Sequence, residues 1–230
     1  MSKPKIYIDG REGTTGLQIY ERLGNRDDID LLLIDEDKRK DTAERAKLLN
    51  AADLAFLCLP DAAAREAVSL VANENTRIID CSTAHRTTAG WVYGFPELHT
   101  QRGKIKTAKR VANPGCYATG FLSLIRPLVE LGALAPDACV ACHALSGYTG
   151  AGKKAIAQYT EPEREQELDS PRHYAVSLGH KHIPEMMAVS GLVRKPIFMP
   201  MICDFPQGMT VTVALYADQL REAASIDALR

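Results

Sequence analysis

The sequence lacks any apolar stretch long enough to span a bilayer, and Met1-Ser2-Lys3-Pro4 runs straight into a strand-like segment instead of a signal peptide. The chain therefore reads as cytoplasmic, with no membrane partner. Charge of one sign is also scarce, since 28 Lys and Arg stand against 29 Asp and Glu, for a net charge of −1. That leaves no face for nucleic acid, and short basic runs such as Lys38-Arg39-Lys40 have no stacking aromatics among them. Cys58, Cys81, Cys116, Cys139, Cys142 and Cys203 lie mostly in apolar, strand-like contexts. Such placement suits a reducing compartment better than a disulfide scaffold, and no disulfide is expected. No second cysteine pair stands at metal-binding spacing, so no metal is expected. The remaining composition, 46% hydrophobic and 25% charged over 230 residues, is ordinary for a soluble globular chain of one large or two modest domains.

What is present begins with a strand, a glycine loop and a helix. Lys5 to Asp9 is apolar and β-rich, "GREGTTG" follows, and a helix-like run extends from Leu17 to Leu23. Gly10, Gly13 and Gly16 are spaced three apart, with Thr14 and Thr15 between the last two. Such a loop turns tightly and lets a pyrophosphate approach the backbone at a helix N-terminus. Alone the triplet says little. It gains weight because strands and helices keep alternating: "IDLLLID" to Asp35, a helix over 42–49, "DLAFLCLP" to Pro60, a helix over 62–71 and "RIIDCS" to Ser82. This order predicts an α/β, doubly wound parallel sheet of the Rossmann-like kind over residues 1–115. At the end of the second strand, Asp35 suits a free ribose 2′-hydroxyl, whereas Lys38 and Arg39 suit a 2′-phosphate. The pattern does not choose between them.

The second half, residues 116–230, reads as an α+β catalytic or substrate domain. After a helix over 117–131, Pro127 is expected to restart a short helix, because proline is tolerated in a first turn but not in an interior. "ACVACHALSG" reads as a buried strand, "SGYTGAGKK" as a second glycine-rich loop, and "KPIFMPMICDF" and "MTVTVALY" as neighbouring strands. Cys139, Cys142 and His143 match the C-x-x-C-H haem-attachment pattern, but they lie within an apolar strand and no export signal precedes them. A buried strand is the better home for them.

Chemistry concentrates at "NPGCYATG", residues 113–120. Asn113-Pro114-Gly115 reads as a loop, so Cys116 falls in the first turn of a helix, where free N–H groups and the helix dipole favour thiolate. Against this, a free cysteine is commonly just a small buried hydrophobe. A cysteine nucleophile needs a base, and His180 and His182 in "GHKHIPE" are the candidates. The two are expected to face opposite sides of an extended stretch, so that only one meets Cys116.

Together, "GREGTTG", "STAHR" at 82–86, "YGFPEL" at 93–98, "NPGCYATG", "SGYTGAGKK" and "GHKHIPE" resemble the N-acetyl-γ-glutamyl-phosphate reductase family, in particular its shorter bacterial type. The resemblance covers nearly the whole chain. Family members continue well past residue 230 with further strands and a final helix, so this chain reads as lacking that C-terminal segment. The resemblance implies NADPH-dependent reduction of N-acetyl-γ-glutamyl phosphate to N-acetylglutamate γ-semialdehyde in arginine biosynthesis. Cys116 would form a thioester, His182 would handle the proton and His180 would contact substrate, although the order of the two histidines stays open. By family position Ser82 and Arg86 bind the phosphate, with Ser146, Gly147 and Lys153 as further substrate or cofactor candidates. NADP(H) is the implied cofactor, an acyl phosphate the substrate, and a homo-oligomer the expected assembly. Related semialdehyde or aldehyde-phosphate dehydrogenases, and a non-catalytic dinucleotide-binding sensor, are the alternatives.

Overall fold

A computed structural model describes residues 2–11 and 13–221, and the chain divides into two compact units, Met1–Pro114 and Gly115–Arg230. In the first unit the order is β1 (Lys5–Asp9), α1 (Thr14–Leu23), β2 (Asp30–Leu32), α2 (Thr42–Ala51), β3 (Leu54–Leu57), α3 (Asp61–Ser69), β4 (Arg77–Asp80), β5 (Val92–Tyr93), α4 (Gln101–Thr107) and β6 (Arg110–Ala112). The six strands form one sheet in the order β2-β1-β3-β4-β6-β5, with every pairing parallel. Tyr7, Ala55, Leu57 and Ile78 of its strands are buried with Leu49 and Ala67 of α2 and α3. Such runs, apolar on consecutive residues, are what a parallel sheet packed with helices requires. Asp41 caps α2, its carboxylate accepting the N–H groups of Ala43 and Glu44 at 2.8 and 3.1 Å. Chain direction across the sheet reverses between β1 and β3. The crevice beyond their carboxyl ends is where open α/β sheets bind ligands.

The second unit runs α5 (Cys116–Glu130), β7 (Ala141–Gly147), α6 (Lys153–Thr160), β8 (Arg172–His173), α7 (Ile183–Ser190), β9 (Ile197–Cys203) and β10 (Met209–Ala214). Its four strands lie in the order β10-β7-β9-β8. β7 and β9 are parallel, while β10 and β8 run antiparallel to their neighbours. The two apolar segments expected to be neighbours are therefore separated by β7, since each pairs with it on a different side. Cys142 and Ala144 of β7 and Phe198 of β9 are buried with Tyr117, Phe121 and Leu122 of α5. Ile197 and Met199 of β9 are exposed.

Two local expectations fail for identifiable reasons. Pro127 does not restart a helix: α5 is continuous through it to Glu130. The proline forfeits one hydrogen bond, to the Ser123 carbonyl, only a turn before the helix ends, and the buried face that includes Ile125 holds the helix together across it. The buried strand expected to house the C-x-x-C-H residues takes in Cys142 and His143 but not Cys139. Cys142 is sealed in β7, where burial pushes its thiol up to about 12, while Cys139 is exposed outside the strand and accepts from Arg194 Nη1 at 2.7 Å. No helix among the described residues is long and apolar enough to cross a membrane.

Where α5 crosses β10, Gly120 lies so close to Val211 that a Cβ on the glycine would sit 2.5 Å from a Val211 methyl carbon. Gly120→Ala should therefore lower stability by about 1–3 kcal/mol, as overpacking does, despite alanine's better helix propensity. Urea denaturation should show a lower midpoint with unchanged slope, and adding Val211→Ala should recover most of the loss.

Candidate active site

In the second unit the site is built where two helices start. Gly115 is the extended N-cap of α5, and Cys116 opens the first turn with its side chain exposed. α7 starts from His182, an N-cap with helical dihedrals, with Pro184 in the first turn and Glu185 following. Glu185 is only 1% exposed, and its Oε2 accepts the Gly115 N–H at 3.0 Å. One buried carboxylate thus sits at the positive end of its own helix and receives a main-chain donor from the start of another. This bond fixes Cys116 beside the turn that carries His182.

Tyr117 is the hub of the cluster. Its ring lies edge-on to His180 and Phe198, with centroids 5.6 and 5.3 Å away, and 5.8 Å from that of His182. Its hydroxyl lies within electrostatic reach of those of Tyr174 and Ser146. Burial pushes both the Tyr117 and the Tyr174 hydroxyls up, and a negative Cys116 pushes each further, so the thiol lies within electrostatic reach of both. His180 Nδ1 accepts the His182 N–H at 3.1 Å, and its Nε2 is 3.3 Å from the Tyr174 hydroxyl. The neutral ring therefore carries its proton on Nε2. Burial, reinforced by Lys181, lowers the His180 pKa to about 4.

The two histidines do not face opposite sides. Their rings are edge-on at 4.7 Å. The extended conformation assumed from the sequence is replaced by a turn, in which the Ile183 N–H bonds the His180 carbonyl at 3.0 Å and His182 has helical dihedrals. Residues i and i+2 share one face of an extended strand as well, so the expectation of opposite facing had the wrong period, and the turn draws the two rings into contact. Gly147 follows Ser146 at the end of β7, where a Cβ would meet the Phe205 carbonyl oxygen at 2.7 Å. Lys153 is exposed at the start of α6 and is not part of the cluster around Tyr117.

The first unit holds a separate cavity of about 540 Å³ at the sheet crevice, lined by Gly10, Gly13, Arg39, Lys40 and Arg45 among others. Gly10 has φ +86°, and a Cβ there would lie 2.4 Å from the Cys58 carbonyl oxygen; at Gly16 a Cβ would lie 2.4 Å from the Gly10 oxygen. Only glycine fits either position. Thr14 and Thr15 border an adjoining hollow with Gly13, Cys58 and Cys81. At the cavity floor Asp9, 3% exposed, takes Arg45 Nη2 at 2.9 Å, and Arg45 Nη1 reaches Glu66 at 3.0 Å. Burial raises the Asp9 carboxyl against the lowering effect of Arg45. A cavity of this size with a glycine cradle and a basic rim fits a dinucleotide. The rim differs from expectation in one residue: Lys38 is drawn to Asp35 at 3.2 Å and does not line the cavity, whereas Lys40 does.

Ser82 and Arg86 lie in the first unit and are already engaged. Ser82 is buried and donates its hydroxyl to Asp80 at 2.7 Å. Asp80 also takes His85 Nδ1 at 2.6 Å, and the His85 ring stacks on Trp91 with centroids 4.1 Å apart. Arg86 donates to the main-chain carbonyls of Asn113 and Cys81 at 2.9 and 3.3 Å. Among the described residues no group of His, Cys, Asp and Glu is arranged to hold a metal ion.

Residues 116–230 match the family model described as the semialdehyde dehydrogenase dimerisation domain, and residues 33–108 that of the semialdehyde dehydrogenase NAD binding domain. Over 220 residues the chain is 53% identical to the N-acetyl-gamma-glutamyl-phosphate reductase of Trichormus variabilis, a match covering 94% of this chain and 68% of that protein. The Sinorhizobium fredii protein of the same name is 50% identical over 230 residues, covering 99% and 75%. Among solved structures, a probable aspartate-semialdehyde dehydrogenase from Pseudomonas aeruginosa superposes with a TM-score of 0.69 at 14% identity, covering 99% of this chain and 78% of that one. The Candida albicans aspartate semialdehyde dehydrogenase with NADP gives 0.61 at 14% identity, covering 99% and 75%. At those identities the likeness speaks for the fold.

A nucleophile at a helix start should outpace thiols that are merely accessible. Iodoacetamide near neutral pH should therefore label Cys116 ahead of Cys139, the other exposed cysteine. Peptide mapping that finds Cys139 modified as fast as Cys116 would leave the helix start with no role in reactivity.

Proposed function

The chain belongs to the N-acetyl-γ-glutamyl-phosphate reductase family, and from that premise we propose that it reduces N-acetyl-γ-glutamyl phosphate to N-acetylglutamate γ-semialdehyde with NADPH, releasing phosphate, in arginine biosynthesis. The observation that carries this reading is the Glu185 bond to the Gly115 N–H, which sets an exposed thiol beside a histidine at two helix starts. The Cys116 sulfur attacks the acyl carbonyl carbon, the bond to phosphate breaks, and a thioester forms on the cysteine. N–H groups in the first turn of α5 stand ready for the oxyanion. Reduction of the thioester would draw its hydride from the dinucleotide, which the glycine loop at Gly10, Gly13 and Gly16 would hold. Collapse then breaks the C–S bond, freeing aldehyde and returning sulfur to Cys116.

His182 is the residue that takes the thiol proton as sulfur attacks and returns it on collapse. The choice over His180 rests on hydrogen bonding. The Nδ1 lone pair of His180 is occupied by the His182 N–H and its Nε2 faces Tyr174, leaving no free lone pair for a proton. His180 instead orients the turn and presents Tyr174. Ser146 contacts substrate through its place beside Tyr117, and in the first unit Ser82 and Arg86 hold the loop that follows β4. The exposed Ile197 and Met199, on alternate positions of β9, form a surface for self-association through the second unit.

The assay is phosphate-dependent oxidation of the semialdehyde with NADP. His182→Asn should cut turnover by ~100-fold or more, the scale of general acid–base catalysis, with little change in substrate affinity. His180→Asn should act mainly on the Michaelis constant and on stability. Reversal of the two patterns would exchange the roles, and full turnover in both variants would overturn the cysteine–histidine chemistry.

The cavity rim favours NADP because Arg39 and Lys40 line it, while Lys38 engages Asp35. Arg39→Ala combined with Lys40→Ala should weaken NADP binding by about 1–3 kcal/mol, as loss of charge-assisted bonds does, and leave NAD binding nearly unchanged. Calorimetry at modest ionic strength makes the comparison, because exposed charges are screened by salt. Equal losses for the two nucleotides would remove the phosphate role.

A further inference from the structure

Cys58 and Cys81 are placed side by side by strand register. Leu57 of β3 pairs with Asp80 of β4, and the Cys81 N–H continues the ladder to the Leu57 carbonyl at 2.9 Å. The two cysteines are the next residues on adjacent parallel strands. Paired residues in a parallel sheet point the same way, and strands ~4.8 Å apart fall inside the ~4.4–6.8 Å window of Cα separations a disulfide spans. The thiols interact electrostatically with each other, and both border the hollow formed with Gly13, Thr14 and Thr15. Neither is fully buried. The remaining cysteines offer no such pair: Cys116 and Cys139 are exposed, and Cys142 and Cys203 occupy opposite ends of their strands.

The geometry points to Cys58 and Cys81 as a dithiol site that closes to a reversible disulfide and so controls dinucleotide access to the glycine loop. The oxidant is a low-molecular-weight disulfide of the glutathione class. Cys81 sulfur attacks it, releasing one thiol and leaving a mixed disulfide on Cys81. Cys58 sulfur then attacks the Cys81 sulfur and expels the second thiol. Two protein thiols are oxidised, one small disulfide is reduced, and the two S–H protons leave with the two released thiols. Cys81 is the attacking group because the neighbouring Cys58 thiol and the Arg86 guanidinium both favour its thiolate.

Closure reaches the nucleotide loop through the main chain. The Cys58 carbonyl backs the turn at Gly10 so closely that a Cβ there would come within 2.4 Å of its oxygen. Any shift of Cys58 to meet Cys81 moves that turn. By linkage, bound dinucleotide must oppose closure to the same degree that closure opposes binding. This inference rests on reading the first-unit cavity as the dinucleotide site.

The test uses the full chain as Cys116→Ser, which removes the competing thiol while leaving nucleotide binding as the readout. Protein is equilibrated with reduced and oxidised glutathione at several ratios, with and without NADP, then free thiols are blocked and peptides mapped. A peptide linking residues 58 and 81 should appear, NADP should suppress it, and NADP affinity by calorimetry should fall about tenfold, within the usual range of coupling between sites. Cys58→Ser should bind NADP equally before and after oxidant. If the reduced protein binds NADP but no 58–81 linkage forms, or the linkage forms without changing affinity, the proposal is overturned. If the reduced protein binds neither NADP nor NAD, the dinucleotide reading itself fails and the gating falls with it.

Discussion

The hydrogen bond from the Gly115 N–H to Glu185 is the constraint on which the second unit's site depends. A carboxylate that is 1% exposed is costly to bury, and it is tolerated here because it sits in the first turn of α7 and receives a donor from the N-cap of α5. The bond spans 70 residues of sequence. Everything chemical in this unit lies within a few residues of its two ends: Cys116 and Tyr117 on one side, His180 and His182 on the other. Because the carboxylate occupies the Gly115 donor, an anion arriving at the start of α5 meets the first-turn N–H groups of residues 116–118 instead. The structural tie and the proposed oxyanion donors therefore use different main-chain groups of one helix start and do not compete.

A comparable constraint governs the first unit. Asp9 ends β1 immediately before the glycine loop, where a bare carboxylate would repel a pyrophosphate. Arg45 pairs with it, and Glu66 in turn accepts from Arg45. Both Asp9 and Arg45 are almost wholly buried, so removing either partner would strand a charge, at a cost of about 3–5 kcal/mol for pairs of this type. The positive character of the cavity consequently comes from its rim, at Arg39 and Lys40, and not from its floor. That division suits a ligand whose ring systems lie over an apolar wall while one charged group reaches the edge.

Much of this was legible in the sequence. Strand–loop–helix alternation up to Ser82 and the placement of Cys116 at a helix start both follow from local pattern, and local pattern is what single residues record. What was not legible depends on distance or on turn geometry. Glu185 stood within a recognised motif but gave no sign that its partner was a backbone N–H far away. The Asp9–Arg45 pair is likewise nonlocal, and so is the Cys58–Cys81 register, which appears only once β3 and β4 are aligned. Lys38 and Lys40 are chemically alike, and a three-residue turn after β2 decides which one reaches the cavity. The expectation that His180 and His182 face opposite sides failed because a strand repeats every two residues and would also have put them on one face; the turn closed by Ile183 then brings their rings together.

That turn also explains why two neighbouring histidines need not be chemically equivalent. Here both rings share one aromatic wall, so position does not distinguish them; hydrogen bonding does. The His182 main-chain N–H points at His180 Nδ1 and uses the lone pair that a base requires, while burial behind Tyr117 and Phe198 keeps that ring neutral. The N-cap residue of α7 thus disables its neighbour as a proton acceptor through its own backbone, and in the proposed chemistry it assumes that role with its side chain. A motif with two histidines two apart gains a single base this way, and the second ring becomes the support that holds the first in place.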